Sequence, residues 1–237
     1  MRLGILQCDS VRAELQPEFG DYPDMFRTLL TTETVQPEFA VYDLTAGGFP
    51  ASERECDAWL FTGSKWSVYD ADEWIGRAHG LARALHESRR PTIGICFGHQ
   101  LIARALGGRV EKAAVGWGVG VHTMRVLEQR PWMEPPRRTL SLLVSHQDQV
   151  LEAPAGADLL ATHEFCPHDM LQIGNHILTF QGHPEFPRGY SRATMEMRRG
   201  ILGEETFREG MASLASEIEP GIAAAWIHRF LEQARAG

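Results

Sequence analysis

The sequence predicts an α/β fold, with an open, mostly parallel sheet, helices on both of its faces and added antiparallel strands. In the first hundred residues, short apolar runs alternate with amphipathic runs. The apolar runs are continuous, which is typical of parallel strands buried on both faces. From Arg109 onward, short strand-like runs follow one another with few helices between them, so we expect antiparallel strands to extend the sheet.

The first half of the chain supplies the parallel part of this sheet. Strands are predicted at "RLGILQC" (2–8), "EFAVYDL" (38–44), "CDAWLFTG" (56–63) and "PTIGI" (91–95). Helices are predicted at "YPDMFRTLL" (22–30) and "EWIGRAHGLARALHES" (73–88). The longer helix has its apolar residues at the spacing of one helix face, which indicates that this face packs on the sheet.

The second half supplies the added strands and then two helices. Strands are predicted at "RVEKAAV" (109–115), "GVGVHTMRVL" (118–127), "TLSLLVSH" (139–146) and the apolar start of "ILTFQGHPEF" (177–186). After Pro187 the pattern becomes helical at "SRATMEMRRGIL" (191–202) and at "GIAAAWIHRFLEQARA" (221–236), which opens behind Pro220. We see no repeat or linker, so we expect one domain over residues 1–237, with C-terminal helices from about 188.

Composition excludes several classes of function. The chain is 43% hydrophobic and 23% charged, as in ordinary globular proteins, and its net charge of -8 with no basic run argues against nucleic-acid binding. No apolar run is long enough for a membrane span, and the N-terminal apolar segment is too short for a secretion signal. The four cysteines form no CxxC pair, which predicts reduced thiols in a cytoplasmic protein. No GxxxxGK phosphate loop is present, and we expect no cofactor.

The stretch "GICFGHQ" places Cys96 between a strand and a helix, with a glycine two residues away on each side. This is the form of a nucleophile elbow, a tight turn that exposes its central side chain above the strand ends. The helix N-terminus there favours a thiolate. Cysteine is also among the most buried residue types, so a structural role for Cys96 remains open on this stretch alone.

The stretch "FQGHPEF" offers a partner for the thiol. A thiol that attacks a carbonyl needs a base, and histidine oriented by a carboxylate suits that task near neutral pH. His183 and Glu185 stand two residues apart in an extended segment, on the same side of the chain. Alone, the pair would be read as structural, but together with Cys96 it predicts a Cys-His-Glu triad.

"GICFGHQLIARALGG" followed by "FQGHPEF" resembles the class I, triad-type glutamine amidotransferases, whose domains carry the two blocks in this order. The resemblance covers roughly residues 1–186 and implies a flavodoxin-like sheet. It implies that Cys96 is the nucleophile, His183 the base and Glu185 its orienting group. "TGS…YDADEWI", "CFGHQ" and "SHQDQV" together look like the γ-glutamyl peptidase branch of the same superfamily, and the stand-alone glutaminase domain of GMP synthase is the other similar type.

The same resemblance implies further site residues. The backbone N–H of Phe97, which follows the nucleophile, is the first oxyanion donor. Ser64 matches the second donor position, where a serine replaces a family glycine, so it stays open whether this oxyanion hole is preformed. Substrate-binding positions are implied at Gly63, Gln100, Ser145, His146, Gln147 and Asp148, with Gln147 standing where many members have glycine.

One other cluster resembles a metal site. "HEFCPH" (163–168) contains two histidines and a cysteine within six residues. No fourth ligand stands at zinc-finger spacing, so we interpret the segment as a polar loop and predict no metal.

The predicted function is hydrolysis of the glutamine γ-carboxamide through a Cys96 thioester, with release of ammonia. The substrate is then a small molecule, and the ammonia acceptor is a separate synthase enzyme, since no phosphate loop accompanies the triad. The first alternative is a stand-alone hydrolase of γ-glutamyl peptides or amides. The second is a catalytically idle binding or regulatory protein on the same fold.

Overall fold

The computed structural model describes residues 1–236, which form eleven strands and seven helices. The strands are β1 Arg2–Gln7, β2 Glu38–Asp43, β3 Ala58–Phe61, β4 Thr92–Ile95, β5 Arg109–Lys112, β6 Gly118–Val126, β7 Thr139–His146, β8 Asp148–Glu152, β9 Ala157–Thr162, β10 Met170–Ile173 and β11 Ile177–Phe180. The helices are α1 Gln16–Phe19, α2 Tyr22–Leu30, α3 Glu73–Glu87, α4 Phe97–Ala105, α5 Arg188–Leu202, α6 Glu204–Ser213 and α7 Pro220–Ala236. None of the helices in this range combines the length and apolarity needed to cross a bilayer.

The main sheet has nine strands in the order β2-β1-β3-β4-β11-β10-β9-β6-β7. The pairs from β2 to β11 are parallel, and the pairs from β11 to β7 are antiparallel. The parallel order corresponds to the flavodoxin-like order 2-1-3-4-5. The predicted fold class is therefore confirmed. A second, two-stranded sheet pairs β5 with β8.

Helices cover both faces of the parallel strands. On one face, α2 and α7 bury apolar side chains that include Phe26, Trp226 and Phe230 against the strands. On the other face, α3 and α4 pack Ile75 and Leu101 into a second cluster. The inner strands β3, β4 and β11 are buried at every position, as their continuous apolar runs require.

The strand register brings three chain segments to one edge of the sheet. Phe180 at the end of β11 pairs with Ile95 at the end of β4, and Phe61 at the end of β3 pairs with Gly94. Because these strands are parallel, the residues that follow them emerge at the same carboxyl edge. Strand β7 also reaches this edge, where the backbone N–H of His183 donates to the carbonyl of Leu143 at 2.7 Å.

The elements that the pattern missed are short or polar. Strands β8, β9 and β10 have four to six residues each, too few to show a clear period. Helix α6 fully buries only Gly210 and packs Phe207 and Met211 on the core while they stay partly exposed, so its apolar face is small. The strands and helices that were predicted are confirmed, with their ends shifted by no more than three residues.

Asp169, immediately before β10, is the basis of a prediction on stability. Its side chain is buried, and burial raises the pKa of its carboxyl to about 7. The folded state therefore holds a proton that the unfolded chain releases near pH 4, so the free energy of unfolding falls between about pH 4 and pH 7 and stays lower above it.

Substituting Asp169→Asn removes this ionisation. We expect the variant to be more stable than the wild type by about 2–4 kcal/mol at about pH 8, and nearly equal to it at about pH 4. Urea unfolding at the two pH values measures the difference. A gain of the same size at both would contradict a titration effect.

Candidate functional site

Cys96 lies in the sharp turn between β4 and α4. Its φ is 51° and its ψ is -99°, and Arg89 is the other non-glycine residue with positive φ in the range 1–236. A side chain added at Gly94 would approach the Gly98 carbonyl to 2.8 Å, and one added at Gly98 would approach the Phe61 carbonyl to 2.6 Å. The glycines of "GICFG" are thus required by close backbone approach, as an elbow demands.

His183 and Glu185 follow β11 at the same edge. The Nδ1–H of His183 donates to Glu185 Oε1 at 2.7 Å, and both side chains are buried. Phe186 stacks on the imidazole, with ring centroids 3.8 Å apart. The Nδ1 contact fixes the tautomer and leaves Nε2 free to face the thiol.

The electrostatics of His183 reflect its neighbours. Burial opposes a charged imidazole, but the Glu185 carboxylate and the nearby Cys96 sulfur together raise the pKa of His183 well above its usual range. An imidazolium is therefore stabilised between a carboxylate and a sulfur. That arrangement suits a thiolate–imidazolium pair.

A cavity of about 180 Å³ opens at this edge of the sheet. One water needs roughly 10–15 Å³, so the cavity has room for a small molecule. Cys96, although only 4% exposed, lines it together with His183. The other predicted site residues that line it are Ser64, Gln100, Ser145, His146, Gln147 and Asp148. Of the remaining three, Glu185 is bonded to His183, Gly63 packs against the imidazole, and the Phe97 ring packs on Trp74.

The backbone N–H groups predicted as oxyanion donors have no acceptor in the described part of the chain. The N–H groups of Ser64 and Phe97 donate to no acceptor within residues 1–236, whereas the neighbouring Gly98 N–H donates to Thr62. Ser64 has no positive φ, so the serine in place of the family glycine carries no backbone penalty.

Gln100 differs from the surface glutamine that a structural interpretation would place on α4. It is buried, and its Nε2 donates both to the carbonyl of Asp148 and to Gln181 Oε1, at 2.8 and 3.0 Å. His146 Nδ1 also contacts the Asp148 carbonyl, at 3.1 Å. Gln100 and His146 therefore hold the β7–β8 corner, and only the Oε1 of Gln100 remains to accept from a ligand.

Gly63 sets the position of the imidazole. A methyl group at Gly63 would lie 2.7 Å from His183 Cε1, a distance that forces the ring to move. We expect Gly63→Ala to lower kcat/KM by about 100-fold, because a displacement of about 1 Å at a catalytic group has effects of that size.

The activity that the sequence predicts, hydrolysis of glutamine or a γ-glutamyl amide, is measured for the variant and the wild type to test this expectation. Gly76→Ala is the matched control, because a methyl group there, on α3, meets no atom within 4 Å. Equal activity of Gly63→Ala and Gly76→Ala would show that the ring position does not depend on Gly63.

Sequence reasoning missed one wall of the cavity. Tyr190, Thr194 and Arg198 line it from successive turns of α5, and Trp117 lies beside Arg198. The spacing of four residues immediately after "FQGHPEF" is the signal that could have identified them, because it puts all three on one helix face.

The "HEFCPH" segment forms the loop between β9 and β10. His163 Nδ1 accepts from the Phe165 N–H, His168 Nδ1 contacts the Val150 carbonyl, and Cys166 is buried. Within residues 1–236 no three His, Cys, Asp or Glu side chains converge as a metal site would require. The four cysteines are free thiols.

Comparisons with known proteins identify the family of the chain. The family model described as "Glutamine amidotransferase class-I" matches residues 45–199. Gamma-glutamyl peptidase 3 of Arabidopsis thaliana is 31% identical over 194 residues, which are 78% of this chain and 76% of that protein. A glutamine-hydrolysing GMP synthase subunit of Sulfolobus acidocaldarius is 32% identical over 133 residues, which are 56% of this chain and 69% of that one.

A solved structure supports the fold. The crystal structure of a glutamine amidotransferase from Thermotoga maritima superimposes with a TM-score of 0.76 and covers 98% of this chain and 97% of its own. Its sequence identity is 18%, so the likeness is one of fold.

Proposed function

Because the chain belongs to the class I glutamine amidotransferase family, we propose that it hydrolyses γ-glutamyl amide bonds through a thioester on Cys96. One observation carries the proposal: the elbow thiol of Cys96 and the imidazole of His183, held by Glu185, line a single cavity. A core cysteine would need neither the positive φ at residue 96 nor a histidine beside it.

The reaction has two halves. The Cys96 thiolate attacks the γ-carbonyl carbon, the C–N bond breaks, and the His183 imidazolium gives its proton to the departing amine. A water then attacks the thioester carbon while His183 takes a proton from it, and the C–S bond breaks to return the thiol and release glutamate. Glu185 stabilises the imidazolium in both halves.

The developing oxyanion needs donors that are in place before the attack. We assign this role to the N–H groups of Phe97 and Ser64, which have no acceptor among residues 1–236. Loss of one such donor typically lowers the rate by about 100- to 1000-fold.

Glutamine and γ-glutamyl peptides share this chemistry and differ only in the leaving amine. From the sequence alone, glutamine was the first choice of substrate. The match to the Arabidopsis γ-glutamyl peptidase spans 78% of this chain, and this favours γ-glutamyl peptides instead. With glutamine as substrate, the ammonia would pass to a separate acceptor enzyme, and the Sulfolobus relative is by name one subunit of such an enzyme. We place the reaction in the cytoplasm, because the nucleophile must remain a reduced thiol.

The purified chain tests the proposal directly. We expect it to release ammonia from glutamine or glycine from γ-glutamylglycine, and a diazo-ketone analogue of glutamine to label Cys96, as seen by peptide mass spectrometry. A chain that releases neither amine and takes no label on Cys96 would instead be a binding or regulatory protein.

A further inference from the structure

We propose that Arg198 binds a carboxylate on the leaving group, so that the substrates are γ-glutamyl amino acids or peptides with a free α-carboxylate near the scissile bond. This inference rests on the proposed function and names its substrate class. It depends on which end of the cavity each half of the substrate occupies.

The glutamyl half has an α-ammonium and an α-carboxylate. Lys112 of β5 and Asp148 of β8 are direct neighbours across the antiparallel pair, and both line the cavity. Opposite charges side by side match the two charges of an α-amino acid. The corner is held in place by the bond from Gln100 to the Asp148 carbonyl. The glutamyl end therefore lies at the β5–β8 pair.

The leaving amine must lie on the side of His183, because that imidazole gives it a proton. Phe186 stacks on His183 and meets Tyr190 edge to face, with centroids 4.7 Å apart. From Tyr190, the cavity-lining face of α5 continues through Thr194 to Arg198. This wall therefore faces the leaving group.

The Arg198 guanidinium is held in place, but it has no carboxylate partner among residues 1–236. Its Nη1 donates to Ser145 Oγ at 3.0 Å, and its guanidinium lies 5.6 Å from the centroid of the Trp117 ring. Within residues 1–236 no Asp or Glu forms an ion pair with it, whereas Lys65 on the cavity rim pairs with Asp9 at 3.0 Å. Ser145 uses one of five guanidinium N–H donors, which leaves the others to bind a carboxylate.

The same wall carries two hydroxyl groups as well as the guanidinium. Thr194 Oγ1 is buried, and the Tyr190 hydroxyl, one helical turn earlier, is its polar neighbour. Hydroxyls beside a half-buried arginine make this wall suited to a polar, anionic group. Ammonia, the leaving group of glutamine, carries no carboxylate for Arg198 to bind.

The test compares two substrates that differ only in this charge: γ-glutamylglycine and γ-glutamylglycinamide. We expect wild-type kcat/KM to favour the carboxylate by about 10- to 100-fold, the usual size of a charge-assisted hydrogen-bond contribution. In Arg198→Gln the ratio should fall towards one. Arg198→Lys should keep part of it, because a lysine retains the charge but not the two-pronged geometry.

Arg192→Gln is the matched control, because Arg192 is exposed on the same helix and outside the cavity. It should keep the wild-type ratio, and the melting temperatures of all variants report on folding. A wild type that hydrolyses both substrates equally well overturns the inference, even if Arg198→Gln does not fold. Equal losses on both substrates in Arg198→Gln overturn it too. A wild type that hydrolyses no γ-glutamyl amide overturns the proposed function itself.

Discussion

Cys96→Ser is expected to lower the turnover of γ-glutamyl amides by about 10⁴-fold or more, the size of effect that follows removal of a nucleophile. A serine hydroxyl at the elbow is far harder to ionise than a thiol, so His183 cannot hold it as the attacking anion. Steady-state kinetics with γ-glutamylglycine measure the loss, and mass spectrometry should find no acyl adduct on the variant.

Cys56→Ser provides the matched control for this substitution. Cys56 is also a buried free thiol, but it belongs to the apolar cluster on the α3–α4 face and does not line the cavity. We expect it to keep wild-type turnover. Comparable activity in Cys96→Ser and the wild type would refute a thioester mechanism.

Glu185→Gln is expected to lower kcat by about 10²- to 10⁴-fold with little change in KM, because the glutamine cannot stabilise an imidazolium and can bind the wrong tautomer. The carboxylate is one cause of the raised pKa of His183, so that pKa should fall in the variant. With a lower pKa, the His183 imidazolium loses its proton at a lower pH than in the wild type. The alkaline limb of the pH–rate profile should therefore move to lower pH.

Glu196→Gln, an exposed substitution on α5, controls for the loss of a negative charge. It should leave both kcat and the pH profile as in the wild type. If Glu185→Gln lowered kcat without moving the alkaline limb, Glu185 would act on the shape of the site and not on the charge of His183.

The parallel half of the fold was predictable because strands that are buried on both faces appear in the sequence as continuous apolar runs. Strands β3 and β4 are short runs in which every residue is apolar or small, and each ends at a turn. In the antiparallel half, β9 carries polar and apolar residues in an irregular burial pattern and β10 has four residues. Their pairing is decided by neighbours distant in sequence, which a local pattern cannot report.

The site divides in a similar way. Cys96, His183 and Glu185 stand in short motifs whose geometry is local, so the elbow and the His–Glu contact could be predicted. For Arg198 the sequence gives only the four-residue spacing from Tyr190 and Thr194, and that spacing does not say whether the shared helix face meets solvent or a cavity. The internal role of Gln100 was hidden too, since its partner Asp148 lies on a strand 48 residues away.

The backbone conformation at residue 96 exposes the thiol for reaction but lowers the stability of the folded chain. Its dihedral angles belong to a region that glycine enters freely and other residues enter at a cost of about 1–3 kcal/mol. The surrounding sheet and helix must supply that free energy at all times, whether or not substrate is bound. An engineer who optimised this chain for thermal resistance alone would select glycine here and obtain a sturdier, inert protein.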